Sequence, residues 1–368
     1  MIAIIFGGIG ILGYLFLTYY PPFGGRATKE MRAKFEQSAN FSEKRKFVNL
    51  IPTTMGVSRE NEWIFSTLKE FIKGNPNRRP QKKLPIEIVN KPLRLKYSSK
   101  PKFIWFGHST FYIELEGKSL LIDPMFGKSP SPIPLVGMGR FNKKLPIDIE
   151  DLPPIDIVLI SHDHYDHLDH SSIKRLKGRV NQFIVPLGVG SHLVRWGVNP
   201  AIIKELDWWD HAMDGDLQLV CTPSRHFSGR SLTDRNATLW SSWVIKGEQT
   251  NIFFCGDSGY GPHFKEIGEK FGPFDLTLME CGQYDKRWAS IHMVPEETVQ
   301  AHLDLDGKMM IPIHWGAFTL SFHDWTDPIE RVTEAAKKYN VTISTPKIGE
   351  ILHLDSTDYP TSTWWKGL

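Results

Sequence analysis

The pattern of apolar and polar positions changes texture three times along the chain. Residues 1–20 carry no charged side chain, and residues 2–17 are almost wholly apolar. A helix of roughly 20 residues is about as long as the hydrocarbon core of a bilayer is thick. Tyr14, Tyr19 and Tyr20 stand where an interfacial aromatic belt forms, ahead of the breakers Pro21-Pro22 and Gly24-Gly25. The pattern therefore predicts a single transmembrane anchor over residues 1–20. Residues 26–92 follow as a basic, largely helical extension, in which Lys29, Arg32 and Lys34 alternate with Met31 and Phe35. Lys44-Arg45-Lys46 comes next, and residues 74–80 punctuate the chain as a linker does.

From about residue 93 the texture becomes short apolar runs between turns. Residues 103–106, 155–160, 183–185, 217–221, 252–255, 276–279 and 309–313 read as buried strands. Residues 111–115 and 119–122, joined by Glu116-Gly117-Lys118, read as a hairpin. Helical stretches are expected at 171–176, 262–271, 295–303 and 328–339, with Pro295 and Pro328 at first-turn positions where a missing N–H costs nothing. Strands and helices in this order predict an α/β domain over residues 93–355, with two sheets between helical layers and a tail over 356–368.

The densest chemistry lies directly after the strand at 155–160. His162, His164, His167 and His170 share nine positions with Asp163, Asp166 and Asp169. Burying such a cluster uncompensated costs several kcal/mol per ion, so it is either solvated or metal-bound. Imidazole and carboxylate are donors that zinc accepts. His162 and His164, two apart on an extended loop, can grip one ion, while Asp166 and His167 follow a turn and can face a second. One loop cannot close two sites. Further ligands are expected at other strand ends, and His226, Asp257 and His314 each follow an apolar strand run.

Composition narrows the partners. A net charge of +3 over 368 residues argues against nucleic acid as an obligatory partner. The local cations at 26–34 and 44–46 form either a solvated face or, beside an anchor, a surface for anionic headgroups. Their position after the apolar run predicts the bulk of the protein on the cytoplasmic side. Cys221, Cys255 and Cys281 are too few and too scattered for a disulfide framework, which suits a reducing compartment. Trp364 and Trp365 either touch a membrane interface or pack against the domain.

Taken together, the metal motif and its flanking segments resemble the metallo-β-lactamase fold hydrolases, and more closely N-acyl-phosphatidylethanolamine-hydrolysing phospholipase D with its microbial relatives. The segments are Trp105-Phe106-Gly107-His108-Ser109-Thr110, Leu121-Ile122-Asp123-Pro124, Glu205-Leu206-Asp207-Trp208-Trp209, Gly256-Asp257-Ser258-Gly259-Tyr260, Phe271-Gly272-Pro273-Phe274-Asp275 and His314-Trp315-Gly316. The resemblance implies an αββα sandwich holding two zinc ions, a donor set that other divalent transition metals also fit. It implies one ion on His162, His164 and His226, a second on Asp166, His167 and His314, and Asp257 bridging both. The implied reaction is phosphodiester hydrolysis of a membrane phospholipid to phosphatidic acid by metal-bound hydroxide. His292 aligns with a histidine near the family's active site, and its bland alternative is a cap for the helix at Pro295. The family has glutamine where Ile291 stands, so the contact of that amide is not carried over. A lactonase or other ester hydrolase of the same fold, and a non-catalytic membrane-tethered metal protein, are the competing readings.

Overall fold

Two seven-stranded sheets form where the apolar runs lie. The computed structural model describes residues 13–54, 60–89, 101–133, 138–354, 356 and 358–368. Sheet one contains β1 (Lys102–Trp105), β2 (Phe111–Leu115), β3 (Lys118–Ile122), β4 (Ile155–Leu159), β5 (Val180–Pro186), β6 (Ile203–Leu206) and β14 (Ile351–His353), in the order β14-β1-β2-β3-β4-β5-β6. Sheet two contains β7 (His211–Asp214), β8 (Leu217–Thr222), β9 (Ser242–Lys246), β10 (Asn251–Phe254), β11 (Phe274–Glu280), β12 (Gly307–Ile313) and β13 (Thr342–Ile343), in the order β13-β12-β11-β10-β9-β8-β7. The expected hairpin is present, with Phe111 opposite Ile122 and Leu115 opposite Lys118.

Alternation assigns the faces. In β1, Phe103 and Trp105 join a core cluster that reaches into sheet two, while Ile104 joins a second cluster with Ile173 and Leu193. Helices α3 (His170–Leu176) and α4 (Gly190–Arg195) thus cover the outer face of sheet one. Helices α5 (His263–Phe271), α6 (Pro295–Asp304) and α7 (Asp327–Lys338) supply Phe264, Val299 and Ile329 to the cluster around sheet two. The result is the expected sandwich of two sheets between helical layers. β3 to β6 pair in parallel, as do β10 to β13. Parallel strands send their carboxyl ends to one edge, where the ligands of such folds collect.

The extension is less regular than its polar-apolar pattern predicts. Its helices are α1 (Lys29–Phe35) and α2 (Glu60–Lys73), and residues 36–54 run in turns. Aromatic packing explains the difference. Phe35, Phe41 and Phe47 meet in one cluster, with ring centroids 4.9 to 5.8 Å apart, and Phe41 bridges Phe47 antiparallel. Phe35 and Phe47 are buried in the same core as the sheets.

At the N-terminal end, residues 13–19 are helical, and the chain then docks on the domain. Tyr20 Oη donates to Pro132 O at 2.8 Å, and Trp196 Nε1 donates to Pro21 O at 2.7 Å. Among the described residues no helix is long and apolar enough to cross a membrane. The expected anchor falls largely on residues 1–12, which lie outside the described residues. At the other end, Trp364 and Trp365 settle for packing, with centroids 5.1 and 5.7 Å from Trp315. The three cysteines are buried free thiols.

Candidate metal centre

Each strand carboxyl end delivers one piece of a single polar cluster. β4 runs into the loop holding His162, His164, Asp166 and His167. Asp169 ends that loop as the cap of α3, its carboxylate accepting from Ser171 N and Ser172 N. Beyond β8 comes His226, beyond β10 comes Asp257, and directly after β12 comes His314. All seven residues expected as ligands meet here. His162 Nε2, His167 Nε2 and His226 Nε2 lie 3.6, 3.2 and 3.7 Å from Asp257 Oδ2. His314 Nδ1 lies 3.1 Å from Asp257 Oδ1, on the other side of the same carboxylate. His164 Nδ1 is 3.0 Å from His162 Nε2 and 3.2 Å from His226 Nε2.

Ring orientation is set from behind. His162 Nδ1 faces Ser161 Oγ at 2.9 Å, His167 Nδ1 faces Asp123 Oδ2 at 2.7 Å, and His226 Nδ1 faces the carbonyl of Ile291 at 3.0 Å. In all three the outer nitrogen is occupied, which leaves the inner Nε2 lone pair for a cation. Three donor groups could each hold an ion, His162, His164, His226 and Asp257 in one, Asp166, His167, His314 and His108 in another, and Asp257, Glu280, His292 and His314 in a third that shares one residue with each of the first two. The chemistry fits a metal. His167 Nε2 and Asp257 Oδ1 are buried with no hydrogen-bond partner, a cost that coordination would remove.

Electrostatics separates the histidines. Burial, with help from neighbouring imidazoles, drives His162, His226 and His314 well below the ordinary imidazole range, and burial takes His164 down to about 4. These rings are neutral at physiological pH, the state in which imidazole binds metal. Burial also acts to depress His167, but Asp257, Asp166 and Asp123 outweigh it and hold that ring well above the usual value. Burial pushes Asp257 up to about 6, against the pull of His167.

Left-handed backbone at non-glycine residues surrounds the cluster. His108 and His314 have φ of 55° and 66°, Asp123 41° and Gln283 62°. His108 and His314 are locked together, His108 N donating to Trp315 O and His314 N to His108 O, both at 3.0 Å. Strain of this kind persists only where surrounding contacts over-determine it, and it concentrates at functional sites. Gly256, at φ 60°, lets β10 approach the metal loop, since a Cβ there would lie 2.8 Å from that of Ser161.

Four contributors escaped the sequence reading as site residues. His108 Nε2 bonds Asp166 Oδ2 at 2.8 Å, and Asp123 accepts from His167 Nδ1 and from Ser161 N and Oγ. Both sit at the ends of apolar strand runs, the same signal that found His226 and His314. Glu280 ends β11 fully buried and accepts from Met293 N and Ser258 N, with His292 Nδ1 2.9 Å from its second oxygen. His292 is therefore not the cap of α6. Glu297 fills that place, accepting from Val294 N at 3.1 Å. Where the family has the glutamine amide, Ile291 offers its backbone carbonyl to His226 Nδ1.

Asn49 is the fourth, and no motif marks it. Its Nδ2 donates to His226 O at 2.8 Å, and its Oδ1 accepts from His226 N at 3.1 Å. The extension thereby clamps a ligand loop of the domain it precedes. Asn49→Ala is expected to weaken metal affinity about tenfold to a hundredfold while the fold persists, as loss of a ligand's supporting bonds does. Competition against a chromogenic chelator checks this, and Asn49→Asp, which keeps the acceptor alone, should fall between.

Neutral imidazoles and carboxylates gathered at the strand ends of a two-sheet sandwich define a metal-dependent hydrolase. The chain belongs to the metallo-β-lactamase superfamily. Residues 118–315 match the family described as the beta-lactamase superfamily domain. An uncharacterized protein of Mycobacterium tuberculosis is 41% identical over 347 residues, 93% of this chain and 91% of that one. The N-acyl-phosphatidylethanolamine-hydrolyzing phospholipase D 1 of Caenorhabditis elegans is 35% identical over 247 residues, 62% of this chain and 68% of that one. A Klebsiella pneumoniae protein named outer membrane protein RomA is 56% identical over 100 residues, 27% of this chain and 75% of that one. Among solved structures, Igni18, a metallo hydrolase of Ignicoccus hospitalis, shares the fold with a TM-score of 0.52 at 20% identity, covering 70% of this chain and 100% of that one.

Proposed function

We propose that the chain is a membrane-associated phosphodiesterase of the phospholipase D type, using two zinc ions to hydrolyse (N-acyl)phosphatidylethanolamine or a related glycerophospholipid. The observation that carries this reading is the Asp257 carboxylate, which meets both donor groups, His162 and His226 of one at Oδ2 and His167 and His314 of the other at Oδ2 and Oδ1. A second support is the phospholipase named among the relatives. The apolar run at 2–17 and the exposed Tyr14 and Tyr19 beside it support membrane attachment. Two cations held this way supply a nucleophile from water at neutral pH and neutralise charge on the phosphoryl oxygens.

The chain's own groups would do the rest. A cavity of about 190 Å³ opens on the cluster, walled by Phe227, Trp288, Ile291 and Leu320. These side chains offer an apolar seat to the glycerol and acyl stem and thin the water around the reacting phosphate. Burial holds Glu280 well above the usual carboxylate range, so its carboxyl proton would sit toward His292 Nδ1 and the ring proton on Nε2, which would pass to the departing alkoxide as the P–O bond breaks while Nδ1 takes the proton of Glu280.

Incubating the metal-replete full chain with N-acylated and plain phospholipids, followed by lipid analysis, tests the assignment. Phosphatidic acid and the freed alcohol are the expected products. Turnover of a lactone panel with the phospholipids untouched would replace this reading with that of an ester hydrolase.

A further inference from the structure

Beyond the metal loop lies a second cavity, of about 360 Å³, that the hydrolytic reading does not use. Asp163, between His162 and His164, is the wall shared with the metal loop, and His192 joins it there with Nε2 3.3 Å from Asp163 Oδ2. Phe35 and Phe41 give the cavity an apolar floor. Around it stand five cations, Arg26, Arg32, Lys44, Arg45 and Lys46.

The cations are placed by structure. Arg45 N donates to Ser42 O, and Ser42 N and Oγ both donate to Lys46 O, each at 2.8 Å. This turn carries Arg45 at φ 56° and is closed by the Phe41–Phe47 bridge, so three positive side chains are set side by side at the cavity. None of the five forms an ion pair among the described residues. Two carboxylates line the cavity, and both are engaged elsewhere. Asp234 accepts from Arg230 N and Ser231 N, and Asp163 from Gly229 N and Thr238 Oγ1. Those hydrogen bonds leave both carboxylates charged, and five cations against two carboxylates still give the cavity a net positive charge, which concentrates anions, while arginine with lysine suits phosphate.

The floor and the neighbourhood narrow that anion. An apolar base beneath a cationic rim fits a phosphate on a hydrocarbon stem better than free phosphate. Helix α4 lines the cavity with Ser191 and His192 and also holds Tyr19, whose carbonyl accepts from Arg195 Nη2 at 3.2 Å. Exposed Tyr14, Leu15, Phe16 and Leu17 lie just before that point. The cavity is thus tied to the one stretch of chain whose sequence favours a bilayer.

We propose that this cavity is a second lipid site, binding the phosphate headgroup of an anionic phospholipid separately from the metal centre. The inference goes beyond the hydrolase reading and does not depend on it, because binding is measured without turnover. Short-chain phosphatidic acid titrated into the full chain by calorimetry is the probe, with inorganic phosphate as the headgroup lacking its stem. Wild type and His314→Ala should bind the lipid alike. Exchange of Lys44, Arg45 and Lys46 together for glutamine should weaken it by about a hundredfold, at roughly fivefold for each cation removed. Arg32→Gln, on a separate helix, should weaken it in the same direction and guards against a turn that fails to fold. Unchanged affinity in both the triple variant and Arg32→Gln would overturn the site. Loss of binding in His314→Ala would move the lipid to the metal centre, and inorganic phosphate binding as tightly as the lipid would overturn the lipid assignment.

Discussion

Asp257→Ala is expected to lose hydrolysis by roughly a thousandfold or more, together with most of the bound metal. This carboxylate is 2% exposed and approached by four imidazoles, three from one side and one from the other. Without it the neutral rings of His162, His164 and His226 lose the carboxylate that joins them to Asp166, His167 and His314. The fold should survive, because burial already opposes the charge of this carboxylate and pushes its titration up to about 6. Metal content and turnover measured on the same preparation check the prediction. A variant that keeps both metal and rate would show that Asp257 is a structural turn residue.

His292→Ala should lower turnover by about a hundredfold to ten-thousandfold and leave metal content unchanged, the range expected for loss of a general acid. The two effects separate because Glu280 occupies His292 Nδ1 and the ring lines the cavity, outside the two ligand sets expected from the sequence. Glu280→Gln offers a finer comparison. Glu280 acts through His292, so a positioning role predicts a shifted pH profile for turnover with the alcohol-releasing step slowed. An unchanged rate in His292→Ala would remove the proton-delivery step from the account.

The metal centre was legible in the sequence because its chemistry sits where apolar runs stop. His226, Asp257 and His314 each follow a strand whose burial alone makes it recognisable. His108 and Asp123 obey the same rule but act on Asp166 and His167, so their importance exists only once β1, β3 and β4 lie in one sheet. Asn49 shows the limit more sharply. It lies outside the sheets, 177 positions from His226, and only tertiary packing makes it a clamp.

The fold was read with similar unevenness. Strands buried on both faces, such as β4, β11 and β12, announced themselves as continuous apolar runs. β6 and β7 lie at sheet edges and keep polar or half-exposed residues, so neither the run nor the alternation rises above the loops around them. The extension holds less helix than its pattern predicts because Phe35, Phe41 and Phe47 bury by meeting one another, a solution that no single periodicity describes.

Anomalous diffraction from crystals grown with zinc tests the central claim most directly. The account predicts two peaks about 3.5–4 Å apart, one among His162, His164 and His226 and one among Asp166, His167 and His314, with Asp257 touching both. A lone peak, or metal bound to any other group of side chains, would contradict it.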